Sequence, residues 1–141
     1  MTSVRRAAVG VCLALVASLP AWAADAPPKA TKTVRLLTIG NSFSQNATRH
    51  LKEIAQAGGH VLVHKQAAVG GAPLALHWGK VEAFEANPAD PAGHYAPGQG
   101  LKTLLVAQPW DVVTIQQASL KSHDVETYRP YAGQLAGYVR K

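Results

Sequence analysis

Three short polar stretches carry the residue types that acyl transfer needs: Ser42 in VRLLTIGNSFS (34–44), the pair Gly70–Gly71, and the pair Gln116–Gln117. Acyl transfer requires a nucleophilic hydroxyl and N–H donors aimed at the oxygen that turns negative in the tetrahedral intermediate. A glycine lets a backbone N–H approach a ligand with no side chain in the way. A glutamine amide adds a neutral donor that cannot quench the nucleophile. Each stretch alone has an ordinary reading, as a helix cap, a turn and a polar strand end. Together, in this order, they describe a serine nucleophile with an oxyanion hole.

The elements that must position them are legible. Val34, Leu36, Leu37 and Ile39 form the apolar run of a strand covered on both faces, ending at Gly40–Asn41–Ser42. Ala47, Leu51, Ile54, Ala55 and Ala57 then recur at helical spacing, with Ser44 as candidate N-cap and Gly58–Gly59 as C-cap. A second strand is predicted over 60–69, a helix over 74–86 and a loop with three prolines and three glycines over 87–100. A short helix over 101–107, a third strand over 111–117 and a helix within 127–141 follow. This alternation predicts parallel strands with right-handed crossovers. Strands running the same way share one carboxyl-end rim, which is where open α/β folds hold ligands. Three strands are few for such a sheet, so the predicted domain, residues 34–141, reads as truncated, with one edge bare.

Residues 1–23 read as a signal peptide. Arg5 and Arg6 precede an uncharged apolar run, Ala7–Leu19, and Ala21-Trp22-Ala23 offers a cleavage site after Ala23. The expected destination is the periplasm or the medium, with no membrane association after cleavage. Cleavage would leave 118 of the 141 residues, lower the net charge from +6 to +4 and remove the only cysteine, Cys12. That excludes disulfide and thiolate chemistry from the mature chain. Residues 24–33 form a proline-bearing linker. The remaining Lys and Arg are scattered and do not interleave with aromatics, so no nucleic-acid partner is expected.

IGNSFS after the first strand, VGGAPLALHW after the second and WDVVTIQQAS after the third resemble the SGNH (GDSL-like) hydrolases. They look most like secreted members related to carbohydrate O-acetylesterases. The resemblance spans roughly Val34 to Tyr138. It implies a flavodoxin-like three-layer α/β/α fold and ester hydrolysis through an acyl-enzyme, without a cofactor, on carbohydrate or other small esters. Ser42 matches the nucleophile, with Asn41 where an Asp is more usual. Gly71, or Gly70 by a one-residue shift, matches the oxyanion glycine. Gln117, or alternatively Gln116, stands where the superfamily presents an Asn. His77 and Trp78 match a His-Trp pair expected to line the substrate cleft.

One departure matters for chemistry. The superfamily's base and its orienting acid lie in an Asp-x-x-His motif, and no Asp of this chain has a His three positions later. Losing the base of such a triad costs several orders of magnitude in rate. The alternatives are His94, in the long loop four residues after Asp90, and His123, which adjoins Asp124 after the third strand and could reach the predicted rim. His60 and His64 have the wrong spacing for two metal ligands on a strand, so no metal is expected. The competing functional class is a non-catalytic carbohydrate- or partner-binding domain, with Trp78, Tyr95 and Trp110 as stacking residues.

Overall fold

A computed structural model describes residues 31–141. The predicted signal peptide and cleavage site, Cys12 and the linker as far as residue 30 lie outside the described residues. Strand β1 (Thr33–Gly40) is the middle of a three-stranded parallel sheet, between β2 (Val61–Ala68) and β5 (Val112–Ile115). The register pairs Leu37 with Lys65 and Val113, and Ile39 with Ala67 and Ile115. With helices on both faces, the sheet has the parallel α/β arrangement that the strand–helix alternation predicts, consistent with the flavodoxin-like sandwich that the resemblance implies.

The apolar run of β1 is buried because each of its faces has its own cover. Leu37 and Ile39 point into the main core and are fully buried with Ala67 of β2. Opposite them stand helices α3 (Leu74–Ala86), α4 (Leu101–Val106) and α5 (Tyr131–Val139), which contribute Leu74, Val81, Leu101, Leu104 and Leu135. On α3 the buried residues are Leu74, His77, Val81 and Phe84, a stripe at helical period. The other face carries Leu36 and Thr38, and α1 (Ser42–Thr48) and α2 (Leu51–Ala57) lie over β1 and β2 there. Thr38 Oγ1 meets His64 Nε2 at 3.2 Å, and Gln66 Nε2 donates to Thr48 Oγ1 at 3.1 Å. The cover is thinner over β5, where Val112 and Thr114 remain exposed.

Two local expectations change. The single helix read from Ser44 to Ala57 is two helices, broken at Arg49–His50, and its N-cap is Asn41. Asn41 Oδ1 accepts the Phe43 N–H at 3.0 Å, while Ser44 lies in the first turn and is buried. The stretch 87–100 is a folded buckle. A 3₁₀ turn at Pro91–Gly93 leads into a small antiparallel pair, β3 (His94–Ala96) and β4 (Gln99–Gly100). Gly93 and Gly100 lie against Phe84 so closely that a Cβ on Gly100 would overlap the Phe84 ring.

Candidate functional site

The carboxyl ends of β1, β2 and β5 share one rim, and side-chain amides tie the three turns together. The buried Asn41 holds the first two. Its Oδ1 caps α1, and its Nδ2 donates to the Ala72 carbonyl at 3.1 Å, just past the Gly70–Gly71 turn. Ser42 follows at the first helical position and is exposed. Phe43, next along, is 56% exposed.

Gln116 ties the end of β5 to the same turn. Its Oε1 accepts from Ser44 N at 3.0 Å and, at longer range, from Asn41 N at 3.4 Å. Both partners are donors, so the amide orientation is set by the network. Its Nε2 makes no hydrogen bond among the described residues. Gly40 leaves the space for this amide: a Cβ there would stand 2.7 Å from Gln116 Oε1 and 2.8 Å from Ser44 Oγ. Ser44 Oγ is itself committed, donating to Asn41 O at 2.7 Å.

Gln117, which the resemblance offers as the oxyanion amide, is placed as a buried strut. Its Oε1 accepts from Leu74 N at 3.0 Å and Ala118 N at 2.9 Å. Its Nε2 donates to Thr127 O at 2.8 Å and Thr127 Oγ1 at 3.1 Å. Both ends of the amide are consumed in joining α3 to the segment after β5. The alternative, Gln116, is the glutamine with an open donor.

Gly71 has φ +66°, a conformation that costs a residue with a Cβ about 1 kcal/mol or more. The turn closes through Ala72 N donating to Val69 O at 3.2 Å. Neither the Gly70 nor the Gly71 N–H hydrogen-bonds to other backbone among the described residues, and both glycines are exposed.

His77 and Trp78 do not line the rim. His77 is fully buried, because it falls on the core-facing stripe of α3. Its Nδ1 meets the Tyr95 hydroxyl at 2.8 Å and the two rings stack at 5.7 Å. Burial drives its pKa down to about 4; the Gly40 carbonyl opposes that shift and Lys80 adds to it. Burial likewise pushes the Tyr95 phenol up. Trp78 donates to Glu82 Oε1 at 2.7 Å and meets Tyr138 of α5 edge-on. Trp110 donates to Leu104 O at 2.9 Å. The three candidate stacking rings are therefore packed within the fold.

Among the described residues no group of three or more His, Cys, Asp and Glu comes together, and no helix is long and apolar enough to cross a membrane. A hollow of about 820 Å³ opens beside β5, lined by Leu105, Trp110, Asp111, Val113, Tyr138 and Lys141 among others. It contains none of the residues of the Ser42 rim. Three contributions carried no sequence signal: the space Gly40 leaves by lacking a Cβ, and the contacts of Thr127 and Tyr95 with residues distant along the chain.

A search of curated proteins finds no match. A solved structure of a DUF4886 family protein from Bacteroides uniformis is similar to this chain, with a TM-score of 0.63 and 29% identity over 77% of it. The chain spans 44% of that protein's length. Residues 35–141, the described domain almost entire, match the family model for a domain of unknown function, DUF4886. The chain belongs to the DUF4886 family.

Proposed function

We propose that this chain carries the nucleophile side of an SGNH-type serine ester hydrolase. The carrying observation is the pairing of an exposed Ser42 with a buried Asn41 that ties its turn to the Gly70–Gly71 turn. A hydroxyl at a strand-to-helix turn, on the same rim as backbone and amide N–H groups that other residues do not use, is the kind of arrangement acyl transfer requires.

In this reading Ser42 Oγ attacks the ester carbonyl carbon while its proton passes to a base. The carbonyl oxygen becomes the oxyanion, received by the Gly71 N–H and Gln116 Nε2. Collapse expels the alcohol and leaves the acyl group on Ser42, and a water then releases the acid. The base is the weak part. No Asp-x-x-His is present, and His123, in the exposed segment after β5, is the chain's own candidate. Turnover by residues 24–141 alone is expected to lie orders of magnitude below that of a complete triad. The sequence resemblance makes carbohydrate or other small esters the substrate class, and the predicted signal peptide makes the protein periplasmic or secreted.

The test is reaction of the purified chain with a fluorophosphonate probe, read by intact mass and peptide mapping. A slow adduct on Ser42, lost in Ser42→Ala and kept in Ser44→Ala, supports the reading. No adduct on Ser42 under forcing probe concentrations overturns it. Saccharide binding that survives Ser42→Ala would favour the binding-domain reading instead.

A further inference from the structure

Among the described residues, eight large apolar side chains are left exposed, and four of them lie on the segments that follow the carboxyl ends of the three strands. Phe43 comes after β1, Leu76 after β2, and Leu120 and Val125 after β5. The other four lie elsewhere: Ile54 on α2, Val106 at the end of α4, and Val61 and Val112 at the amino ends of β2 and β5. A single exposed apolar side chain is ordinary, but one or more on every segment around a single rim makes a patch.

Hydrogen bonds fix the backbones that carry these side chains. The Phe43 N–H donates to Asn41 Oδ1 at 3.0 Å. The start of α3, which bears Leu76, is held by Leu74 N donating to Gln117 Oε1 at 3.0 Å. The 3₁₀ turn Ser119–Lys121 begins beside Ala118, whose N–H donates to the same oxygen at 2.9 Å. The turn Val125–Tyr128 is held by Gln117 Nε2 on Thr127 O at 2.8 Å. Phe43 is the most constrained in place, one peptide bond from Ser42. The two are exposed together, while Asn41 before them and Ser44 after them are buried.

A phenyl ring is neither a base nor an oxyanion donor of the N–H kind; what it offers an ester is apolar surface. The acyl group stays on Ser42 Oγ through both steps of the reaction, whereas the alcohol leaves after the first. Apolar surface one peptide bond from that oxygen therefore acts on the acyl group throughout. We propose that Phe43, with Leu76, Leu120 and Val125 on the same rim, forms an acyl-binding surface, and that the esters taken carry an alkyl acyl chain of several carbons. The proposal rests on Ser42 being the nucleophile and narrows that reading from small esters in general to those with acyl groups longer than acetyl.

The test labels the full chain with two fluorophosphonates that differ only in an ethyl or an octyl group on phosphorus. In each, Ser42 Oγ bonds to phosphorus, fluoride leaves, and the serine proton passes to base or solvent. The octyl probe should label Ser42 faster by on the order of tenfold or more, as burial of the added methylenes requires. That rate ratio should fall several-fold in Phe43→Ala and hold in Ile54→Ala, a comparably exposed site on α2. A wild-type ratio near one, or a ratio that Phe43→Ala leaves unmoved, overturns the proposal and leaves Ser42 as nucleophile. If Phe43→Ala fails to fold, Leu120→Ser takes its place with the same expected fall. A wild type that labels with neither probe defeats the nucleophile reading. A titration then decides whether the surface takes an alkyl chain: octanoate should move the Phe43, Leu76 and Leu120 amide resonances more than acetate does. Equal movement with both acids, or none, overturns the proposal.

Discussion

Gln116 Oε1 accepts the Ser44 N–H at 3.0 Å, so the residue just past β5 holds down the first turn of α1. The neighbouring Gln117 faces the other way and spans Leu74 N and Thr127 O. Two adjacent glutamines thus brace different parts of the rim, as alternate side chains leaving a strand must. Gln116→Leu is expected to lose one helix cap, at about 1–2 kcal/mol. Gln117→Leu should cost about 2–4 kcal/mol, because it strands buried N–H and C=O groups at both ends. Urea denaturation of the two variants checks the order, and equal or reversed losses would refute the division of labour.

Asn41→Asp tests the buried bridge to Ala72. A carboxylate keeps the cap on Phe43 N but cannot donate to the Ala72 carbonyl, and it buries a charge. A loss of about 3 kcal/mol at pH 7 is expected. Burial raises the new carboxyl's pKa, and the protonated form can donate again. The deficit relative to wild type should therefore shrink as pH falls from 7 towards 5. A deficit that is flat across that range would count against the bridge.

Gly93 and Gly100 fix the buckle against Phe84, and their substitutions should differ in kind. A Cβ on Gly93 meets the Phe84 backbone N at 2.7 Å, whereas on Gly100 it meets only the Phe84 ring. Gly100→Ala should cost about 1–3 kcal/mol and be partly rescued by Phe84→Leu. Gly93→Ala should gain no comparable rescue. A double-mutant cycle by thermal unfolding separates the two cases.

His77 gives the stability a defined pH dependence. Its native pKa is lowered to about 4 by burial, while an unfolded histidine takes up its proton near pH 6.5. Between those values the unfolded state binds a proton that the native state does not, so stability falls as pH drops from about 6.5 to about 4 and levels below. The shift is worth about 3 kcal/mol at its full extent. His64, also lowered by burial, acts in the same direction. His77→Gln should flatten that part of the profile; an unchanged slope in this variant would contradict the assignment.

Much of the architecture is written locally. The apolar run of β1, the helical stripe of α3 and the glycine punctuation are short-range signals. From them follow the parallel sheet, the helix 74–86 and the rim that Ser42, Gly71 and Gln116 share. Asn41 and Ser44 are both good cap residues by type, and the hydrogen bonds Phe43 N to Asn41 Oδ1 and Ser44 N to Gln116 Oε1 give the cap to Asn41. The stretch 87–100 reads as loop because its order comes from Phe84 and Lys80, on another element.

What the sequence determined by itself was therefore the succession of parallel strands and helices, the shared rim and the residue types that could perform acyl transfer on it. Only the tertiary structure decided their division: Gln116 open, Gln117 consumed, His77 sealed against Tyr95 and Trp78 turned to Tyr138. Periodicity says which face of an element a residue occupies. A buried polar group's role depends on which partners satisfy it, and those partners come from elements distant in the chain.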